Sequence, residues 1–151
     1  MQFTNTKLSG VILIKPKIFE DGRGFFLESY RKDSFSEAGI QVDFVQDNHS
    51  ASTKGVLRGL HYQIRQPQGK LIRVIVGEVF DVTVDLRRSS PTFGHWAGIN
   101  LSAAARNLLW VPPGFAHGFY VMTEKAEILY KATDYYAPQW ERSLSWNDPA
   151  L

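Results

Sequence analysis

The chain has 151 residues, 44% hydrophobic and 21% charged, with Lys+Arg 17 against Asp+Glu 15 and no cysteine. This predicts one globular domain over residues 1–151 with an ordinary hydrophobic core, and it excludes extended disorder and a coiled coil. The missing thiols exclude a disulfide framework, cysteine-ligated metal and a thiol nucleophile. The near-balance of charge leaves no electrostatic footprint for nucleic acid.

The start, Met1-Gln2-Phe3-Thr4-Asn5, is polar and lacks the apolar stretch of a signal peptide. The apolar run Val11-Ile12-Leu13-Ile14 has strand length, far short of the ~20 residues that a spanning helix needs. The reading is of a soluble, cytoplasmic protein with no membrane partner. Asp21-Gly22-Arg23-Gly24 marks a turn. Ser34 with Glu37 three residues on resembles a capping box, and Gly39 suits the stop of one short helix. Over Asp43–Asn48, alternation groups Phe44, Gln46 and Asn48 on one face. After the turn Ser52-Thr53-Lys54-Gly55, alternation sets His61 and Gln63 opposite Leu60 and Tyr62. Lys70–Val76 groups Lys70, Ile72, Val74 and Val76. Val79–Leu86 puts Phe80, Val82, Val84 and Leu86 on one face and Asp81, Thr83 and Asp85 on the other, as a half-buried strand does. Ser89-Ser90-Pro91 and Pro112-Pro113-Gly114 are further turns, and Ala126–Thr133 groups Ile128 with Tyr130. Many short strands with regular turns predict an all-β sandwich or barrel.

Three features carry chemistry. The first is His61 beside Lys70 on otherwise apolar strand faces. An imidazole accepts a proton near neutral pH, and a desolvated ammonium stabilises a developing oxyanion. The same pair also fits a satisfied core histidine and a lysine reaching for water. The second is Pro112-x-Gly114-x-x-His117, a turn that delivers a histidine to a strand. The third is Tyr130, which points inward either as core or as a proton donor. Around them, Arg23 and Arg58 offer an anion clamp, Phe26 an aromatic platform, and Glu28, Gln46 and Asn48 polar groups able to read a base or a sugar. The odd spacing of Arg58 from His61 puts them on opposite faces of a regular strand, unless Gly59 hosts a bulge.

The Pro-x-Gly-x-x-His spacing resembles the second motif of the cupin superfamily, a jelly-roll barrel. The first-motif region, however, reads His61-Tyr62-Gln63, with Lys70 near the expected position of an acidic ligand. That is a poor divalent site, because a protonated lysine repels the ion. Over nearly the whole chain the sequence resembles the dTDP-4-dehydrorhamnose 3,5-epimerase family. The resemblance rests on Asp21–Glu28, Gln46-Asp47-Asn48-His49-Ser50, Gly55–Gln63, Asp81–Arg87, Ser90–Gly94, Pro113–Phe119 and Trp146–Pro149. It implies a metal-free, cofactor-free cupin jelly roll, a homodimer, acting on dTDP-4-dehydro-6-deoxy-D-glucose. It also implies His61 as general base, Tyr130 as opposing acid and Lys70 as stabiliser of the enolate oxygen. Arg23, Phe26, Glu28, Gln46, Asp47, Asn48, Arg58 and Gln63 would bind the substrate, with His117 and Glu141 lining the site. Family members run on past the point where this sequence stops, and that tail supplies an aspartate partner for the histidine. On that resemblance another acidic group serves His61, or activity is reduced, or the sequence is a truncated piece. A relative that inverts one carbon, a non-catalytic sugar-nucleotide binder and a metal-dependent cupin oxygenase are the competing readings.

Overall fold

A computed structural model describes all residues 1–151. Its strands are β1 (Gln2–Asn5), β2 (Ile12–Lys15), β3 (Ile18–Asp21), β4 (Gly24–Leu27), β5 (Gln46–Thr53), β6 (Leu57–Gln63), β7 (Lys70–Val76), β8 (Glu78–Asp85), β9 (Trp96–Ser102), β10 (Leu108–Val111), β11 (Phe115–Val121), β12 (Lys125–Ala132) and β13 (Glu141–Ser143), with one short helix, α1 (Lys32–Glu37). Two antiparallel sheets, β1-β2-β10-β7-β12-β5 and β13-β6-β11-β8-β9, face each other, and β3-β4 forms a separate hairpin. This is the jelly-roll barrel expected of a cupin.

Alternation explains the core between the sheets. Ile72 and Val74 of β7, Leu109 and Val111 of β10, Phe115 and Phe119 of β11 and Ile128 of β12 turn inward with Leu8, Val11 and Leu101. Every residue of β10 is buried, because its other face is covered too. Leu108 and Trp110 pack there with Leu71 against Phe35 of α1. Tyr30 bridges that layer, with ring centres 4.9 Å from Phe35 and 5.1 Å from Phe44.

Two expectations need correction. The helix starts earlier than the capping-box reading places it: Arg31 is the N-cap, in extended backbone and without a side-chain cap bond. Asp33 in the first turn takes the Ser34 N–H instead, at 2.7 Å. Gly39 does end the helix, at φ +85°. The strand β8 is where alternation predicts it, but its polar face is the buried one. Asp81, Thr83 and Asp85 are 1%, 1% and 0% exposed. Phe80 and Val82 instead line an outer groove with Trp96, Tyr120 and Trp146. The inversion has a local cause, since each inward carboxylate has a dedicated partner. Asp81 faces His117, and Asp85 receives Arg87, Ser90 and Thr92.

Candidate active site

A cleft of about 610 Å³ opens between the sheets. The five-stranded sheet contributes Arg58 and His61 from β6, His117 from β11 and Glu141 from β13. The six-stranded sheet contributes Gln46 and Asn48 from β5, Lys70 from β7 and Tyr130 from β12. His61 and Tyr130 thus enter one cleft from opposite sheets. A deeper pouch of about 110 Å³ adjoins it and shares His61, Lys70, His117, Tyr130 and Glu141.

Register sets these positions. His61 lies between His117 on one neighbouring strand and Ser143 on the other. Three steps along β6, from Arg58 to His61, match only two along β11, from Phe119 to His117. This bulge at Gly59 resolves the parity problem and lets Arg58 and His61 line the same cleft. Gly59 has φ +123°, and a Cβ there would lie 2.5 Å from the Gly118 Cα, so no other residue fits without a backbone shift.

The His61 Nδ1 sits 3.1 Å from Ser143 Oγ and 3.3 Å from Glu141 Oε1. Its Nε2 has no protein partner and is left to the cleft. Tyr136 donates its hydroxyl to the other Glu141 oxygen at 2.8 Å, and that bond raises the Tyr136 phenol. Burial pushes the Lys70 ammonium below the ordinary lysine range, opposed by the charges of Asp81 and then Glu141. Its Nζ lies 5.8 Å from the centre of the Tyr130 ring. Burial also pushes the Tyr130 phenol up, reinforced by Glu141 and opposed by Arg58, so the group stays protonated and able to donate. His117 Nε2 meets Asp81 Oδ2 at 2.8 Å in a buried pair. Nowhere do three His, Asp or Glu side chains converge as a metal site needs.

Of the residues singled out in the sequence, His61, Lys70, Tyr130, Gln46, Asn48, Arg58, His117 and Glu141 come together in the cleft. Gln63 lines the pouch, but its amide is spoken for. It donates to the Gln66 and Tyr135 carbonyls and accepts from the Ala137 N–H, so it positions the segment that carries Tyr136. Asp47 points the other way, because alternation along β5 puts its carboxylate on the opposite face, on Lys131 at 3.0 Å. Arg23 and Phe26 lie on the β3-β4 hairpin and line a different recess, Arg23 pairing with Asp21 at 2.6 Å. Glu28 is exposed beyond β4. Sequence reasoning missed Asp81, Tyr136 and Ser143. Only Asp81 left a signal, in the polar run Asp81-Thr83-Asp85. Tyr136 sits in a loop without periodicity.

A jelly-roll cleft that sets an imidazole backed by a carboxylate against a protonated phenol, with a desolvated lysine in the same cleft, defines a cupin equipped for proton transfer. The comparisons with known proteins agree. The family model described as dTDP-4-dehydrorhamnose 3,5-epimerase matches residues 5–151, and the chain belongs to that family. It is 60% identical to the dTDP-4-dehydrorhamnose 3,5-epimerase of Pseudomonas aeruginosa, over 100% of this chain and 84% of the relative. It is 57% identical to that of Salmonella typhimurium, over 97% of this chain and 81% of the relative. The crystal structure of RmlC, the dTDP-6-deoxy-D-glucose-3,5-epimerase of Legionella pneumophila, in complex with dTDP-4-keto-L-rhamnose, superposes with a TM-score of 0.97. It shares 53% identity, covering 99% of this chain and 80% of that one.

Proposed function

We propose that the chain inverts carbons 3 and 5 of dTDP-4-dehydro-6-deoxy-D-glucose, giving dTDP-4-dehydro-L-rhamnose, as a cytoplasmic enzyme that needs no cofactor. The observation that carries this reading is the placement of His61 and Tyr130 on opposite sheets of one cleft, with Lys70 in the same cleft. The 4-keto group acidifies the hydrogens on both neighbouring carbons. Inversion needs a base on one face of the ring and an acid on the other. His61, its Nδ1 held by Glu141 and Ser143, takes the proton through Nε2. Lys70 stabilises the enolate oxygen by charge and hydrogen bonding. Tyr130 returns a proton from the opposite face. Gln46, Asn48 and Arg58 hold the nucleotide, while Glu141 takes the acidic role beside the histidine.

The reading includes a homodimer. Phe19, Phe25 and Phe26 on the hairpin are 52%, 52% and 70% exposed, an apolar surface that one chain leaves uncovered. Laid on a second copy, the hairpin covers those rings and delivers Arg23, Phe26 and Glu28 to the partner's cleft.

The test is proton exchange in heavy water, followed by NMR of the sugar. Deuterium at carbons 3 and 5 that depends on His61 upholds the reading, deuterium at one carbon replaces it with a single-site epimerase, and none overturns it. Mixing Arg23→Ala with His61→Ala chains restores part of the turnover if the clefts are shared between copies, and restores none if each chain works alone.

A further inference from the structure

We infer that the outer flank of the six-stranded sheet carries an oxyanion site, centred on Arg73, whose recess meets the catalytic cleft only at Asn48 and Tyr130. A recess of about 210 Å³ there is lined by Arg73, Leu108, Leu129, Lys131, Tyr30 and Asp47, among others. Register places Arg73 of β7 between Leu108 of β10 and Leu129 of β12. Its guanidinium therefore rises through an apolar collar from the middle of the sheet. It forms no salt bridge, and its buried Nε has no hydrogen-bond partner. The carboxylate nearest to hand in the recess, Asp47, is already engaged, with both oxygens 3.0 Å from Lys131 Nζ.

A guanidinium is charged at any physiological pH and offers five donors in a planar fork. Left half-buried without an acceptor, it carries an unrecovered desolvation cost. Burial pulls it in the direction of that cost, lowering its basicity with no anion to oppose. The chemistry that completes it is a planar or tetrahedral oxyanion, a carboxylate or a phosphate, received on the fork. Lys131, held by Asp47, also borders the recess, its Nζ 6.0 Å from the centre of the Tyr30 ring. The acceptor comes either from a free small anion or from a carboxylate of a second copy of this chain.

The experiment watches the arginine side-chain Nε–H signals by 15N NMR, with Arg73→Lys identifying the Arg73 signal. Inorganic phosphate and acetate are titrated into the intact chain and into Arg58→Gln, which removes a cleft guanidinium. A saturable shift of the Arg73 signal in both proteins, with the affinity measured by calorimetry reduced about tenfold or more in Arg73→Gln, upholds a free-anion site. No shift with either ion, but an Arg73 signal that moves with protein concentration and self-association weakened about tenfold in Arg73→Gln, upholds a second copy as the source. A signal indifferent to both ions and to concentration overturns the inference.

Discussion

Two histidines stand opposite each other in register, His61 on β6 and His117 on β11, and each has a carboxylate. The pair His117–Asp81 is 2.8 Å apart with side chains 10% and 0% exposed; the pair His61–Glu141 is 3.3 Å apart with side chains 45% and 33% exposed. The partners of the first both come from central strands, whereas Glu141 opens a three-residue terminal strand. The same two residue types therefore do different jobs. Burial makes Asp81 expensive to remove and turns His117 into cleft wall. Exposure makes the Glu141 contact worth little for stability, but leaves the imidazole free to exchange protons with whatever fills the cleft.

The contrast can be broken in four ways. His61→Ala should reduce turnover by about 10²–10⁴-fold while dTDP binding, measured by calorimetry, stays close to that of the intact protein. Retained turnover would remove His61 from the role of base. Asp81→Asn should cost about 3 kcal/mol in denaturant unfolding, because it leaves a buried imidazole poorly matched. Glu141→Gln should cost under about 1 kcal/mol in the same assay, yet lower kcat by about tenfold to a hundredfold. If the two variants were equally stable, burial would not be what separates the pairs.

The third way runs through Lys70, which feels both carboxylates, Asp81 more than Glu141. The ammonium is present at low pH and is lost as pH rises through its lowered pKa. The alkaline limb of kcat should therefore fall below the ordinary lysine value of 10.5. Removing Asp81 should move that limb further toward neutrality than removing Glu141 does, as pH–rate profiles of the two variants would report. The fourth way runs through Asp85, the next inward carboxylate of β8 beyond Thr83. Burial alone would raise its pKa, but the bonds from Arg87, Ser90 and Thr92 win and hold the carboxyl well below the usual range. A depressed carboxyl stabilises the fold above its unfolded value of 3.8, and that contribution drains away as pH falls below it. Acid unfolding of Asp85→Asn should lack this component.

Much of this architecture was readable in the sequence because period-two alternation is local. It grouped Gln46 with Asn48, Lys70 with Ile72, and Ile128 with Tyr130, and the structure keeps each group together. Alternation tells which residues share a face but not which face is inside. In β8 Phe80 and Val82 face an outer groove, because dedicated partners await Asp81 and Asp85 within. The family motif carried Asp47 along with its neighbours, although its parity opposes Gln46 and Asn48. The role of Glu141 as partner of His61 depends on β13 pairing with β6, a contact spanning about eighty residues of chain that no local pattern encodes. The hairpin residues show the same limit: their sequence names the chemistry, while their place depends on what the hairpin packs against.

The three-for-two exchange between β6 and β11 has a consequence for how this protein can change. It works like a gear with one tooth skipped, bringing Arg58 and His61 to the same side although three positions separate them. Gly59 and Gly118 hold the skip, since a Cβ at Gly118 would meet the Arg58 carbonyl at 2.6 Å. A regular register there, which a Cβ at either glycine would favour over this close approach, would by parity turn Arg58 out of the cleft while His61 kept its place beside Ser143. On the proposed assignment, grip on the nucleotide and power over the sugar are separable by one backbone step. A lineage seeking a new carrier group has a route that leaves the proton chemistry alone.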